Sequence, residues 1–186
     1  MILDNALMFT GTSNGTTGGI TSGPNTDSPT TGTQNSTNTI DLHMAGIPVL
    51  ANNQGARDIG IGDDPAMKLV VWVTTTFTGG TSLQVGLQGA QDNGSGAPGA
   101  FTTWWTGAAV VEASLVAGTR LYDMDMPRPP PGIAVPRFLR MSYVSAGTHG
   151  AGALEACIVL DRVDQMYQGT ANQTLGGYPP GVVIAN

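Results

Sequence analysis

Charge is scarce in this chain: Asp, Glu, Lys and Arg make up 11% of its 186 residues, against about 25% in a typical globular protein. Lysine occurs once, at Lys68, and seven cations face thirteen acids, for a net charge of −6. A chain of that sign is repelled by phosphate backbones, which argues against nucleic acid as a partner. Cysteine also occurs once, as Cys157 in the apolar stretch 153–160. A single thiol rules out an intrachain disulfide, offers no zinc cluster, and is expected to be buried and inert. Long hydrophobic runs are missing as well. The longest, around residues 69–73, is strand-sized and far short of the roughly 20 residues of a membrane helix, so no membrane is expected as a partner. Residues 1–5 show no basic segment leading into an apolar one, so no secretion signal is expected.

Chemistry-bearing motifs are equally sparse. The two histidines, His43 and His149, sit in loop-like or Gly-rich settings with no second ligand at metal spacing. His149, within Ala146-Gly147-Thr148-His149-Gly150, is expected in a turn between the last two strands. No phosphate loop ending in Gly-Lys occurs. The acidic pairs Asp123/Asp125 and Asp63/Asp64 are of a type that can bind calcium or act as acid–base partners. A solvated strand face and a turn before Pro65 explain them at least as well. The expectation is no enzyme, no metal and no cofactor. The Asn35-Ser36-Thr37 sequon is taken as polar loop composition.

What the chain does have is period-two alternation. Leu83, Val85 and Leu87 point one way and Ser82, Gln84 and Gln88 the other; Leu139, Met141 and Tyr143 point inward, Arg140 and Ser142 outward. Leu154, Ala156, Ile158 and Leu160 share a face, and residues 68–77 are rich in the Val, Thr and Trp that suit a pleated surface. Weaker strands are expected over 2–9, 37–42, 102–110 and 119–126. About eight short strands without helical periodicity predict an all-β, jelly-roll-like antiparallel sandwich.

Three segments fall outside this scheme. Residues 10–39 are nearly all Thr, Gly, Ser, Asn and Pro, too polar to offset the entropy of ordering by apolar burial, and a long surface loop is expected there. Residues 127–136, with Pro129-Pro130-Pro131, predict an extended connection. The stretch 164–186 closes on Tyr178-Pro179-Pro180-Gly181-Val182-Val183-Ile184, the composition of an arm that adds to a neighbour's sheet. The domain reading is therefore a sandwich over 1–163 and an extended arm over 164–186. Trp104 and Trp105 are adjacent, so strand alternation would send one into the core and the other to an interface rather than pairing them as a sugar platform. Trp72 is expected to pack within the sandwich or against a subunit.

Read in order, several pieces carry a family resemblance. They are Met1-Ile2-Leu3-Asp4 with Phe9; Ala56-Arg57-Asp58-Ile59-Gly60-Ile61-Gly62; Leu69-Val70-Val71-Trp72-Val73; and Leu83-Gln84-Val85-Gly86-Leu87-Gln88. Leu115-Val116-Ala117-Gly118-Thr119-Arg120, Arg137-Phe138-Leu139-Arg140-Met141-Ser142-Tyr143 and Ala156-Cys157-Ile158-Val159-Leu160-Asp161 continue it. Together they resemble the cement, or decoration, proteins that clamp the outside of tailed-bacteriophage capsids. The resemblance implies a jelly roll on the outer surface of a virion. It implies the major capsid protein and further copies of the chain as partners, as a homodimer near two-fold positions or a trimer. Residues 10–39 depart from the family in length, which leaves the contacts of the N-terminal region open. The interface residues expected from strand ends, arm and tryptophans are Ile2, Leu3, Trp104, Trp105, Tyr178, Val182, Val183 and Ile184. The competing expectation is a carbohydrate-binding or host-adhesion module.

Overall fold

The structure, a computed structural model, describes residues 7–11, 26–42 and 67–159. Seven strands succeed one another there: β1 (Thr31–Asn35), β2 (Ile40–Asp41), β3 (Lys68–Ala90), β4 (Thr102–Thr106), β5 (Val110–Val111), β6 (Arg120–Asp125) and β7 (Phe138–Val159). A 3-10 turn, Glu112–Ser114, precedes β6. All pairings are antiparallel and join the strands into one sheet with the backbone order β1-β7-β3-β4. The protein is all-β, as the alternation predicts.

The sheet is organised by two strands far longer than the usual five or six residues. β3 has 23 residues and β7 has 22, and they pair from Lys68↔Val159 to Ala90↔Phe138. Their register shifts four times between Val73 and Ser82. At these shifts the ribbon bends, and glycine makes the bend possible: Gly147 has φ 77, and a Cβ on Gly80 would overlap the His149 ring. The two halves of the ribbon thereby face one another. The first layer comprises residues 80–90 of β3 and 138–147 of β7, flanked by β1, β2, β4 and β5; the second comprises residues 68–75 and 151–159, flanked by β6.

Inward side chains from both layers meet in one core. Leu83, Val85, Leu87, Leu139, Met141 and Tyr143 come from the first layer and Leu69, Val71, Val73, Leu154, Ala156 and Ile158 from the second. Each is buried, and each Leu, Val, Ile or Met side chain among them stabilises the fold by about 1.5–3 kcal/mol. Across the layers, the Tyr143 hydroxyl donates to Asp27 Oδ2 at 2.9 Å, while Asp27 exchanges two backbone hydrogen bonds with Leu154, each 2.9 Å. At the other margin the Tyr122 ring of β6 meets the Trp105 ring of β4 edge-on, 4.8 Å between centroids.

Several expected boundaries shift. Strands expected separately at 68–77 and 82–88 are parts of β3, and those at 139–143 and 154–160 are parts of β7 as far as Val159. The glycines between them bend the strands without ending them. The expected loop over 10–39 contains β1, and Asp27 bridges to Leu154. These polar residues are ordered by hydrogen bonds instead of apolar area: Ser36 is buried, donates to Asn38 O at 2.8 Å and accepts from Met141 N at 3.0 Å. The expected strand at 102–110 is two, β4 and β5, and that at 119–126 is β6. In the expected strand 2–9, Met8 makes a single bridge to Cys157. Residues 127–136 connect β6 to β7 without strand structure, as their prolines predict. The arm over 164–186 lies outside the described residues.

Candidate protein-interaction face

The outer face of the first layer is assembled by register. β3 turns Gln84, Gly86 and Gln88 outward, opposite Val144, Ser142 and Arg140 of β7. β1 adds Thr33 beside Val144, and β4 adds Thr106 beside Gly86 and Thr103 beside Gln88. Because Gly86 has no side chain, the centre is a shallow hollow of about 230 Å³. A Cβ there would stand 3.1 Å from the Trp105 carbonyl oxygen.

The amides on this face are already held in place. Gln84 Nε2 donates to Gly107 O at 3.0 Å, Gln88 Nε2 to Thr103 Oγ1 at 3.2 Å, and Arg140 Nε to Gln88 Oε1 at 2.8 Å. Arg140 also lies over the Phe101 ring, 3.8 Å from its centroid, and burial draws its pKa below the usual guanidinium value. It is the one charged side chain in this outward array of β1, β3, β4 and β7 residues. Val144, 41% exposed, supplies an apolar point beside the hollow. Such a face carries a single charge and is fixed in shape by its own hydrogen bonds. It can meet another protein at little electrostatic desolvation cost, and interface cores are depleted in charge for that reason.

The opposite outer face, on the second layer, has another character. The rows across it are Asp125–Lys68–Val159, Asp123–Val70–Cys157 and Arg120–Trp72–Glu155. Lys68 pairs with Asp125 and Arg120 with Asp123. Met8, Val70, Cys157 and Val159 form a second buried cluster, with Trp72 packed on it. Burial pushes the Cys157 thiol up to about 12, the Glu155 carboxylate adds to the rise, and Arg120 partly opposes it. A thiol so placed is unreactive at neutral pH, as expected of the lone cysteine. Burial also raises the Glu155 pKa.

The candidate residues distribute as follows. Trp104 and Trp105 do not part to opposite faces. The register runs Leu87↔Trp105 and then Gln88↔Thr103, leaving Trp104 as the extra residue of a bulge. Trp104 is buried in the core and the half-buried Trp105 packs against the same core, so strand alternation fails at this step. Ile2, Leu3, Tyr178, Val182, Val183 and Ile184 lie outside the described residues, as do His43, Asp63 and Asp64. His149 belongs to the bend of β7 rather than to a turn between strands. It is 2% exposed, with Phe77 edge-on at 5.1 Å and Glu112 Oε2 3.5 Å from Nδ1. Asp123 and Asp125 are each paired with a cation, and among the described residues no cluster of three or more His, Cys, Asp or Glu could hold a metal ion.

Two polar clasps had no signal in the sequence, since both join residues far apart in the chain. Arg137 donates from Nε and Nη2 to the two Asp41 carboxylate oxygens, each at 2.9 Å, and also pairs with Asp92. Hydrogen bonding to Asp41 raises the Arg137 pKa, while the Gly96 and Gly94 amides, followed by Arg137, lower that of Asp92. Asp27 accepts from Thr37 N, Thr37 Oγ1 and Tyr143 Oη. Burial still raises its pKa, outweighing those bonds, and the pKa of fully buried Tyr143 rises for the same first reason.

Residues 26–158 match the Bbp16 protein family, a span reaching from the Asp27 clasp almost to the end of β7. The chain belongs to the Bbp16 family. That matched span contains both layers, both clasps and the whole neutral face. No curated protein matches the chain.

Proposed function

We propose that this Bbp16-family protein is a structural cement protein, which binds the outer face of a phage head and stabilises contacts between major capsid subunits. The observation that carries this reading is the neutral face of the first layer, centred on Gly86 between Gln84, Ser142 and Thr106. It is broad, fixed by its own hydrogen bonds and nearly free of charge, as a surface built to be covered by protein should be. The ordered sequence resemblance described above points the same way and supplies the jelly-roll winding and the virion location. Bridging two capsid subunits raises the effective concentration of each contact, so modest individual contacts suffice on a shell of repeated sites. Further copies of the chain, as a dimer or trimer, remain part of this reading.

A carbohydrate-binding or host-adhesion role is the second reading. It is favoured by the hydroxyl and amide groups around the hollow, which suit sugar hydroxyls. The inward packing of Trp104 and Trp105 removes the aromatic platform that would strengthen it. The test is co-sedimentation of the purified protein with expanded phage heads lacking it, followed by heating. Saturable binding with a raised disruption temperature is expected. No binding, with a signal on a glycan array, would replace the cement reading by the adhesion one.

A further inference from the structure

Five aspartates lie among the described residues, and four of them are paired with a cation: Asp41 and Asp92 with Arg137, Asp123 with Arg120, and Asp125 with Lys68. The fifth, Asp27, is the most buried of them at 5% exposed, and no Lys, Arg or His among the described residues pairs with it. A buried carboxylate without a counter-charge is costly. Burial accordingly raises the Asp27 pKa in spite of the hydrogen bonds from Thr37 and Tyr143. An aspartate kept where a neutral side chain would escape that cost points to a use for its charge.

The carboxylate is not sealed in. It lines a cavity of about 120 Å³ at the β1 margin, with Ser28, Pro29, Gln34, Asn35 and Tyr143 among its neighbours, and every other residue of the lining is uncharged. The wall is preformed: Thr30 N donates to Gln34 Oε1 at 2.6 Å, and Thr30 O accepts from His149 N at 2.8 Å. Asp27 Oδ1 accepts from Thr37 N at 3.1 Å and from Thr37 Oγ1; Oδ2 accepts from Tyr143 Oη at 2.9 Å and shares Thr37 N at 3.3 Å. Roughly one of a carboxylate's four acceptor positions is left, on Oδ2. A guanidinium fork needs two parallel acceptors and does not match that vacancy. An ammonium group does, since it needs one charged oxygen and takes neutral oxygens, such as those of Ser28 and Asn35, for its other N–H groups.

We propose that this cavity receives the ε-ammonium group of a lysine from a different protein, with Asp27 as its counter-ion. The lysine has to come from elsewhere, because Lys68 is the one lysine in the chain and pairs with Asp125 on the second layer. The Pro29 ring offers the lysine stem an apolar surface. Access also fits. β1 ends the strand order of the sheet, and it carries Thr33 on the neutral face and Gln34 and Asn35 at the cavity. A protein lying on that face therefore reaches Asp27 around the β1 edge. The site does not depend on that protein being a capsid subunit.

The test is an NMR titration of the full-length protein at pH 7 with Nα-acetyl-lysine methylamide, methylammonium and tetramethylammonium, at constant ionic strength. The lysine derivative should shift the Thr37 and Asn35 amides saturably, with half-saturation at or below about 0.1 M, and leave residues 120–125 unmoved. Tetramethylammonium, which has the charge but no N–H, should give under about a tenth of the shift. Asp27→Asn should weaken binding of the lysine derivative at least about tenfold. Absence of saturable shifts, equal shifts from tetramethylammonium, or equal binding by Asp27→Asn would overturn the proposal. So would binding of methylammonium about tenfold tighter than the lysine derivative, because the cavity would then admit a small free amine and not a side chain attached to a protein. The comparison of the three amines needs no variant, and no capsid enters the experiment, so a failure of the cement reading leaves its outcome unchanged.

Discussion

The two outer faces of the bent sheet are built from the same two strands and differ in nearly everything else. On the first layer, β3 and β7 present Gln84, Gly86, Gln88, Ser142 and Val144, with Arg140 as the one charge. On the second layer the same strands turn Lys68, Trp72 and Glu155 to that side, with Val70, Cys157 and Val159 buried among them, and β6 adds Arg120, Asp123 and Asp125. Low overall charge is therefore not spread evenly. It leaves one face blank, while the other carries paired ions around a second apolar cluster. A surface charge on a free face costs nothing to keep, but a charge under a partner must be desolvated. On the proposed cement reading, the first layer is the side for contact and the second the side that holds the sheet together.

The sharpest way to break that comparison is to put charge on the blank face. Val144→Asp with Thr106→Asp should weaken binding to capsids by about a hundredfold, since an unpaired charge buried in an interface costs several kcal/mol. Both sites are exposed in the free protein, so thermal melting should stay within about 2 °C of the parent. Co-sedimentation and calorimetry on the same preparation check this. Unchanged binding would mean that the neutral face is not the contact.

The converse change belongs on the second layer. Trp72→Ala removes a half-buried indole resting on Met8, Val70, Cys157 and Val159, and should cost about 2 kcal/mol of stability in urea unfolding, below the 3–5 kcal/mol of a fully buried tryptophan. Capsid affinity at a temperature well below the melt should not change. A loss of affinity larger than the loss of stability would place the contact on the second layer.

The outward members of the blank face were legible one strand at a time: Gln84 and Gln88 followed from alternation with Leu83, Val85 and Leu87, and Ser142 from alternation with Met141 and Tyr143. Their convergence was not. It depends on pairing residue 86 with 142 and residue 33 with 144, and register between distant strands leaves no trace in local pattern. Alternation also misleads at Trp104, where a bulge inserts one residue into β4. The polar segment 31–35 was hidden for another reason, because its order comes from a backbone ladder to β7 and not from apolar burial. At the bend, Gly79, Gly80 and Gly147 resemble turn punctuation, yet the strands run on through them.

The clasp that joins the two layers gives a smaller, pH-dependent effect. Burial raises the Asp27 pKa above its ordinary 3.8, so the folded protein holds this proton more readily than the unfolded chain. The corresponding stability is complete below the unfolded value and is lost as pH rises through the folded one. Asp27→Asn keeps one acceptor oxygen for the Thr37 donors, places its NH2 where it can donate to the Tyr143 hydroxyl oxygen, and removes the buried charge. At pH 7 it should therefore be as stable as the parent or up to about 1 kcal/mol more stable, and the difference should shrink toward pH 3. Asp27→Ala should instead lose about 1–2 kcal/mol at both ends by leaving the buried Tyr143 hydroxyl without its acceptor. Urea unfolding of the three proteins between pH 3 and 7 checks the sign. An Asn variant less stable than the parent at pH 7 would mean that the hydrogen bonds outweigh the cost of burial.

The smallest effect is expected at the ion pairs that most visibly distinguish the second face. Lys68 and Asp125 are directly opposite across β3 and β6, and Asp125 is largely exposed, so solvent screens their attraction and the pair contributes at most about 1 kcal/mol. Lys68→Met should shift the unfolding free energy by less than that, and 1 M salt should remove most of the difference between variant and parent. Capsid binding should be unaltered in both. If this substitution costs more than Trp72→Ala, the second layer is held by its charges and the apolar cluster beneath them is secondary, which would reverse the division of labour between the faces.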